Sequence, residues 1–203
     1  VEDGEMVKII DRESGRDITM ETIDKAFRLG TTYLSRKGYT LSVQDLSVSE
    51  KVKKMTDEVV VAAEKKTAEI IKEYESGNLI LIPGKTLEET RETRISQVLN
   101  EVRTESGRIV QSNFPVDGNV NKMITPKAAG SMLNITQIGC CVGQQILWNK
   151  RVSFGYTNRT LSFFKEGDLS PEARGFIKSA FFNGLKPSEF FFGAITGRDS
   201  LMD

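Results

Sequence analysis

Two long runs of apolar residues at helical spacing constrain this chain more than any other feature. The first run extends from Val52 to Tyr74 and the second from Leu87 to Ile109. Ser47 and Thr86, which precede the runs, are each followed three residues later by a glutamate, the pattern of a helix capping box. Apolar residues at this spacing predict two long helices.

The link between the two helices spans only residues 78–85 and contains the turn dipeptide Pro83-Gly84. A link of this length returns the second helix alongside the first, in the opposite direction. The apolar stripes are narrow, and the other faces are dense in lysine and glutamate. We therefore predict an antiparallel helical hairpin over about 47–110, exposed along much of its length. The simplest interpretation of its charges is a solvated arm with ion pairs between successive helical turns.

The rest of the chain predicts a mainly α fold (α+β with little strand), in which a second helical subdomain follows the hairpin. The opening residues to Arg16 are typical of a short strand or turn. Further helices are predicted to begin at Thr19, Thr125, Ser170 and Pro187. The first of these is expected to end near Gly30, and the second to run towards Trp148. The charge density falls near residue 115, which favours a boundary between domains 1–115 and 116–203.

Amide side chains recur along the predicted helix from Thr125. One face would carry Asn134, Gln137, Cys141, Gln144 and Gln145, and the opposite face would carry Gly139 and Gly143. Bare glycines permit close packing of another backbone. Two interpretations of the amides stay open: they line a polar wall, or they satisfy one another and nearby backbone groups. Neither interpretation implies catalysis.

Composition excludes several classes of function. The chain of 203 residues has 28 Lys and Arg against 28 Asp and Glu, without the basic excess of an autonomous nucleic-acid binder. It has no histidine, which excludes a Ser-His-Asp triad and an imidazole zinc site. Cys140 and Cys141 are adjacent, a spacing that provides neither a metal site nor a disulfide framework, so a reducing cytoplasm fits best. No apolar run reaches the roughly 18 residues of a membrane span.

Catalytic motifs are also absent from the sequence. It contains no phosphate-binding loop, no dinucleotide-binding glycine motif and no aspartate cluster for magnesium. Asp199 is a candidate catalytic acid, but it follows Arg198, and a carboxylate beside its own cation is more often a structural pair. We therefore expect no catalytic residue and no metal ligand in this chain, and no activity from the chain alone.

Several segments resemble the largest subunit of multisubunit DNA-directed RNA polymerase, in its archaeal or eukaryotic form. They are GSMLNITQ (130–137), CVGQQ (141–145), RTL (159–161), ARGF (173–176), GLKPSEFFF (184–192) and GRD (197–199). Shorter matches begin at Leu29-Gly30 and continue through Leu99-Asn100-Glu101, so the resemblance covers about residues 19–203. The CVGQQ and GLKPSEFFF segments together are highly specific for this family.

The resemblance implies that residues 1–115 form the funnel of that subunit, with the hairpin on the rim of the secondary channel. Nucleoside triphosphates enter by this channel, and transcript-cleavage factors insert into it. Residues 116–203 would then form part of the pore and cleft region and end in the N-terminal half of the bridge helix, at about 187–203. The implied partners are other polymerase subunits, a transcript-cleavage factor, nucleoside triphosphates in transit, and DNA and RNA held by the whole enzyme; no membrane is implied.

The resemblance also implies site residues. The pore wall is expected to include Leu99, Asn100, Arg103, Asn134, Gln137, Gln144 and Gln145. The start of the bridge helix is expected to include Phe190, Phe191, Phe192, Gly197, Arg198 and Asp199. The catalytic NADFDGD motif of the family is absent here. Magnesium, with structural zinc as a further candidate, is therefore expected elsewhere in the parent enzyme.

The leading hypothesis is a segment of the polymerase's largest subunit that contributes to the nucleotidyltransferase without its own chemistry. Because the sequence begins at Val1 instead of Met, we expect a piece of a longer polypeptide. An archaeal parent implies a cytoplasmic, nucleoid-associated location and a eukaryotic parent a nuclear one. The alternative is a free-standing helical adaptor that binds protein partners, and a hydrolase or nucleotidyltransferase acting alone is a distant third.

Overall fold

A computed structural model describes residues 4–115, 117–153 and 155–202, and most of them are helical. The helices are α1 (Glu5–Ser14), α2 (Arg16–Lys37), α3 (Glu50–Glu75), α4 (Leu87–Asn113), α5 (Asn119–Ile124), α6 (Met132–Gly139) and α7 (Pro187–Met202). The strands are β1 (Gly143–Gln144), β2 (Ile146–Leu147), β3 (Lys150–Arg151) and β4 (Phe176–Ile177). The predicted mainly α class is confirmed. Asp203, the predicted end of the last helix, lies outside the described residues.

The chain divides into two compact units. The first comprises residues up to Leu46 together with Pro115–Ser131, and the second comprises Ser47–Phe114 together with the residues from Met132 onward. The hairpin therefore shares a unit with the residues that follow it beyond 131. Because a unit of packing is not a boundary of function, the division into domains 1–115 and 116–203 stays a prediction.

The first unit begins with α1, where the sequence predicted a strand or turn. A left-handed Gly4 precedes this helix, and Gly15 (φ 83°) separates it from α2. Thr19 lies inside α2 and donates its hydroxyl to the Gly15 carbonyl at 2.9 Å, so the prediction that the helix begins at Thr19 is wrong. The predicted end at Gly30 is also wrong, because α2 continues to Lys37. Glycine weakens a helix without ending it when the following residues still favour the helix.

Both caps of the hairpin use a hydroxyl, but only one is the predicted residue. Thr86 accepts from the Glu89 backbone N–H at 3.2 Å, while the Glu89 carboxylate accepts from the Thr86 N–H at 2.9 Å. This capping box is confirmed. The cap of α3 is Ser49, which accepts from the Val52 N–H at 3.4 Å, so the prediction of Ser47 is wrong by half a turn.

Helices α3 and α4 run antiparallel, as predicted. Near the link, Arg94 of α4 lies 3.8 Å from the carboxylate of Glu73 in α3, and the Arg91 guanidinium lies 4.3 Å from the Tyr74 ring centroid. The buried core between and beneath the helices comprises Val60, Ala63, Ile95, Leu99, Val102, Cys141 and Phe176. Residues after 139 thus complete the core of the hairpin.

The helix predicted from Thr125 to Trp148 is wrong. Helix α5 ends at Ile124, and α6 begins at Met132 and ends at Gly139. Beyond it, β1 pairs with β4 in antiparallel register, Gly143 opposite Ile177. Gly143 has φ 90°, which no right-handed helix accommodates, so the predicted amide and glycine faces of one helix do not exist.

The helix predicted from Ser170 is also wrong. Two short 3₁₀ turns form instead, over Glu172–Arg174 and Phe181–Asn183, and Gly175 (φ 85°) ends the first of them before β4. The last predicted helix, α7, forms from Pro187 as expected. The buried Phe192 of α7 packs in a second core with Val142, Val152 and Ile177.

Candidate functional site

A groove lies between α4 and the start of α6, and it contains two of the predicted wall residues, Asn100 and Arg103. Its other lining residues are Thr104, Gly107, Arg108, Gln111, Met132 and Leu133, and its volume is about 560 Å³. Both Asn100 and Arg103 are exposed, since the helical turn directs their side chains away from the buried stripe of α4. The groove is therefore open to solutes.

The charge of this groove is positive. Arg103 and Arg108 line it, and no Asp or Glu occurs among the described lining residues. Arg108 also lies 3.3 Å from the Glu105 carboxylate, outside the groove. Within the described part of the chain, the Arg103 guanidinium has no hydrogen-bond or ion-pair partner. Its donors are therefore available to an anion, and a planar guanidinium suits phosphate or carboxylate oxygens.

Glutamine side chains donate hydrogen bonds to the backbone beside this groove. Gln144 is buried, and its Nε2 donates to the carbonyls of Gln145 and Arg174, both at 2.8 Å. Gln137 donates to the Val142 carbonyl and Gln145 to the Gly143 carbonyl, each at 3.4 Å. These contacts match the interpretation in which amides satisfy nearby backbone groups. The Gln144 Oε1 atom is buried with no hydrogen-bond partner among the described residues.

The remaining predicted wall residues differ in exposure. Asn134 is exposed on α6. Leu99 is fully buried in the core between the hairpin and the residues after 139. It belongs to the apolar stripe that holds the hairpin together. For all of the predicted wall residues, the role in a channel wall stays a prediction.

A buried ion pair that the sequence analysis missed holds β3 against α4. Arg151 donates from Nε and Nη2 to the two oxygens of Glu92 at 2.9 and 3.0 Å, and from Nη1 to the Leu169 carbonyl at 3.2 Å. Arg91 adds a further bond to Glu92 at 3.0 Å. Glu92 and Arg151 are 59 residues apart, and no local sequence pattern joins them.

Electrostatics around Glu92 favour its ionised form. Burial opposes ionisation of this carboxyl, but hydrogen bonds and charge from Arg151 and Arg91 outweigh burial and hold its pKa below the usual range. Arg174 lies nearby, and its pKa is lowered by burial and by the charge of Arg151. The cluster is a structural centre, in which three arginines lie near the carboxylates of Glu92 and Asp168.

Helix α7 displays its phenylalanines on different sides, as three consecutive helical positions must. Phe192 is buried, whereas Phe190 and Phe191 are 66 % and 46 % exposed. Gly197 and Arg198 are exposed. Asp199 accepts a hydrogen bond from the Trp148 indole at 3.1 Å. The sequence analysis missed this role of Trp148, for which no helical or strand pattern gives a signal.

The remaining candidate groups give no further site among the described residues. Cys140 and Cys141 are buried free thiols, and burial raises the pKa of Cys141 to about 12. Within residues 4–115, 117–153 and 155–202, no group of three or more acidic, cysteine or histidine side chains could hold a metal ion. No described helix is long and apolar enough to cross a membrane.

Comparisons with known proteins point to one family. The sequence model described as RNA polymerase Rpb1, domain 4, matches residues 71–177. The DNA-directed RNA polymerase subunit Rpo1N of Methanothermobacter thermautotrophicus is 42 % identical over 201 residues, which cover 98 % of this chain and 23 % of that subunit. Rpo1N of Methanocaldococcus jannaschii is 38 % identical, covering 100 % of this chain and 15 % of that subunit. Rpo1N of Halococcus morrhuae is 38 % identical, covering 98 % of this chain and 57 % of that sequence. The chain thus spans a quarter or less of the first two relatives.

Proposed function

This chain belongs to the family of RNA polymerase Rpb1, domain 4, and on that premise we propose that it forms part of a channel wall in a DNA-directed RNA polymerase. Nucleoside triphosphates pass along this wall towards an active centre supplied by other parts of the enzyme. The chain contributes to a nucleotidyltransferase in DNA-templated transcription without a catalytic residue of its own. In an archaeal cell this enzyme acts in the cytoplasm, at the nucleoid.

The observation that carries the proposal is the exposed, unpartnered guanidinium of Arg103 in a groove without described acidic lining. A nucleoside triphosphate is a polyanion, and arginine binds phosphate oxygens through two parallel donors. Asn100 lies one helical turn away on the same groove and offers an amide to the sugar or the base. Because the chain as a whole has zero net charge, this local positive charge is a property of the groove.

The exposed faces of the hairpin supply a second part of the proposal. α3 and α4 bury one narrow stripe each, and their outer faces carry lysines and glutamates that reach solvent. Such a surface suits a protein partner that is recognised by charge. The partner in this proposal is a transcript-cleavage factor that enters the channel. Helix α7 forms the start of the bridge helix, and the other polymerase subunits cover its exposed apolar residues.

The test is single-nucleotide addition by a polymerase assembled with the full-length subunit carrying Arg103→Ala. We expect the KM for the incoming nucleoside triphosphate to rise about 10-fold, as for the loss of about 1.4 kcal/mol of binding. Arg12→Ala removes the same charge from an exposed position on α1 and serves as the matched control. An unchanged KM in the Arg103 variant would contradict a channel role for this groove.

A further inference from the structure

The turn between β2 and β3 has an unusual residue at its first position. Trp148 and Asn149 connect the two strands, with φ values of 49° and 62°. A two-residue connection of this kind needs positive φ at both positions, which asparagine and glycine tolerate. A bulky side chain is rarely found in this conformation. Contacts of the Trp148 side chain must therefore compensate for the backbone strain.

Burial does not provide that compensation, because Trp148 is 65 % exposed. Its indole Nε1 instead donates to Asp199 Oδ1 at 3.1 Å, 51 residues further along the chain. A hydrogen bond to a carboxylate is stronger than one between neutral groups. The strained turn thus directs the indole N–H at α7.

The two halves of α7 are held in different ways. The first half is anchored by Phe192 and Glu189, which are 1 % and 2 % exposed, and the Glu189 carboxylate accepts from the Ser179 and Lys186 backbone N–H groups at 3.3 and 2.9 Å. In the second half, Asp199 accepts the hydrogen bond from the Trp148 indole. The second half is therefore joined to the turn between β2 and β3.

Gly197 separates these halves at a point where the helix is weak. Among the described residues, no heavy atom outside the adjoining stretch of the helix lies within 4 Å of a Cβ built at this position, so no described neighbour requires a glycine there. Glycine in a helix interior leaves the backbone freer than alanine does. Asp199 lies two residues beyond it, so the Trp148 bond restrains the segment that follows Gly197.

We infer that Trp148 is a positioning residue, which holds the C-terminal half of α7 in place through Asp199. The inference rests on the proposed function in one respect, namely that α7 acts as the bridge-helix start of a polymerase. Trp148 acts through its hydrogen bond to Asp199. It sets the position of the last turns of α7, and through them the rate at which the enzyme completes a nucleotide addition.

The first measurement is backbone hydrogen exchange in the polymerase assembled with the full-length subunit. Trp148→Phe removes the indole donor and keeps an aromatic ring, and Asp199→Leu removes the acceptor. We expect both to speed exchange in the peptide over 194–202 by roughly 3- to 10-fold, as for one lost hydrogen bond. Asp199→Asn keeps an accepting oxygen and should stay near the parent value. Tyr156→Phe, a change at another exposed aromatic residue, is the matched control.

The second measurement is single-nucleotide addition by the same variants. Trp148→Phe and Asp199→Leu should lower the maximal rate with little change in the nucleotide KM, and Asp199→Asn should restore the rate. A purely structural contact would not separate rate from KM in this way. Backbone hydrogen exchange over residues 50–75 should be unchanged in all variants. That result would show that the fold is intact.

Two results would overturn the inference. One is unchanged exchange over 194–202 in both Trp148→Phe and Asp199→Leu, and the other is faster exchange with an unchanged maximal rate. Failure of the proposed channel role gives a different result. In that case Arg103→Ala leaves the KM unchanged, while the Trp148 and Asp199 variants still alter exchange and rate.

Discussion

Arg151 donates two hydrogen bonds to Glu92, with Nε 2.9 Å from Oε2 and Nη2 3.0 Å from Oε1. The Arg151 side chain is 1 % exposed and that of Glu92 is 36 % exposed, so the cation is the more deeply buried partner. This pair connects β3 to the first turns of α4. Loss of the Glu92 carboxylate would leave the buried positive charge of Arg151 without its main counter-ion.

Glu92→Gln should therefore destabilise the chain by about 3 kcal/mol, the lower end of the range for breaking a buried pair, since Glu92 keeps some contact with water. Urea unfolding followed by circular dichroism gives the free energy of unfolding. Glu64→Gln breaks the more exposed pair with Lys178, at 3.2 Å, and should cost less than about 1 kcal/mol. Equal losses in the two variants would show that burial of Arg151 does not matter.

The same pair makes stability depend on pH. The pKa of Glu92 is lower in the folded chain than its ordinary value of 4.5, because Arg151 and Arg91 outweigh the effect of burial. Its stabilisation is thus fully present above pH 4.5 and is lost as the pH falls through the folded pKa. Glu92→Gln should flatten this acid limb in the plot of unfolding free energy against pH. If the acid limb keeps its slope in this variant, the slope is caused by other carboxyl groups.

Gly175 occupies a position that excludes any other residue. Its φ is 85°, and a Cβ there would lie 2.9 Å from Val152 Cγ2. Gly175→Ala should lower the free energy of unfolding by about 2 kcal/mol, from strain and from the shift forced on Val152. Gly107→Ala places a Cβ on α4 at an ordinary 4.0 Å from Thr136 Oγ1 and should stabilise the helix by about 0.5 kcal/mol. In thermal melts, the melting temperature should fall in Gly175→Ala and rise in Gly107→Ala.

Reversal of charge on the hairpin should weaken binding of a transcript-cleavage factor. The variant combines Lys65→Glu and Lys66→Glu on α3 with Glu101→Lys and Glu105→Lys on α4, all exposed positions. The assembled polymerase should lose roughly 10-fold in affinity at low salt and less at high salt, because screening shortens the range of surface charges. Lys65→Arg is the control that keeps the charge. Equal affinity at low salt would place the docking surface elsewhere.

The hairpin was predictable because its signals are local. Apolar spacing defined both helices, and Thr86 with Glu89 defined the start of α4. Both serines before α3 are competent caps, and Ser49 provides the cap because helical residues begin at Glu50. Such errors of two residues leave the architecture unchanged.

The region around the glutamines was not predictable, because its conformation depends on distant partners. Gly143 and Gln144 form a strand only because Ile177 and Phe176 pair with them. Without that pairing, the same residues read as the continuation of α6. The Glu92 and Arg151 pair shows the same dependence on long-range contacts, and so does the burial of Leu99 beneath Cys141 and Phe176.

Trp148 is the single tryptophan among 203 residues, and it lies on an exposed turn with its N–H bound to a carboxylate. Emission excited at wavelengths that tyrosine does not absorb therefore reports the surroundings of Trp148, without a contribution from Tyr74 of the hairpin. A shift of that emission on addition of a partner would register movement at the end of α7 without any attached dye.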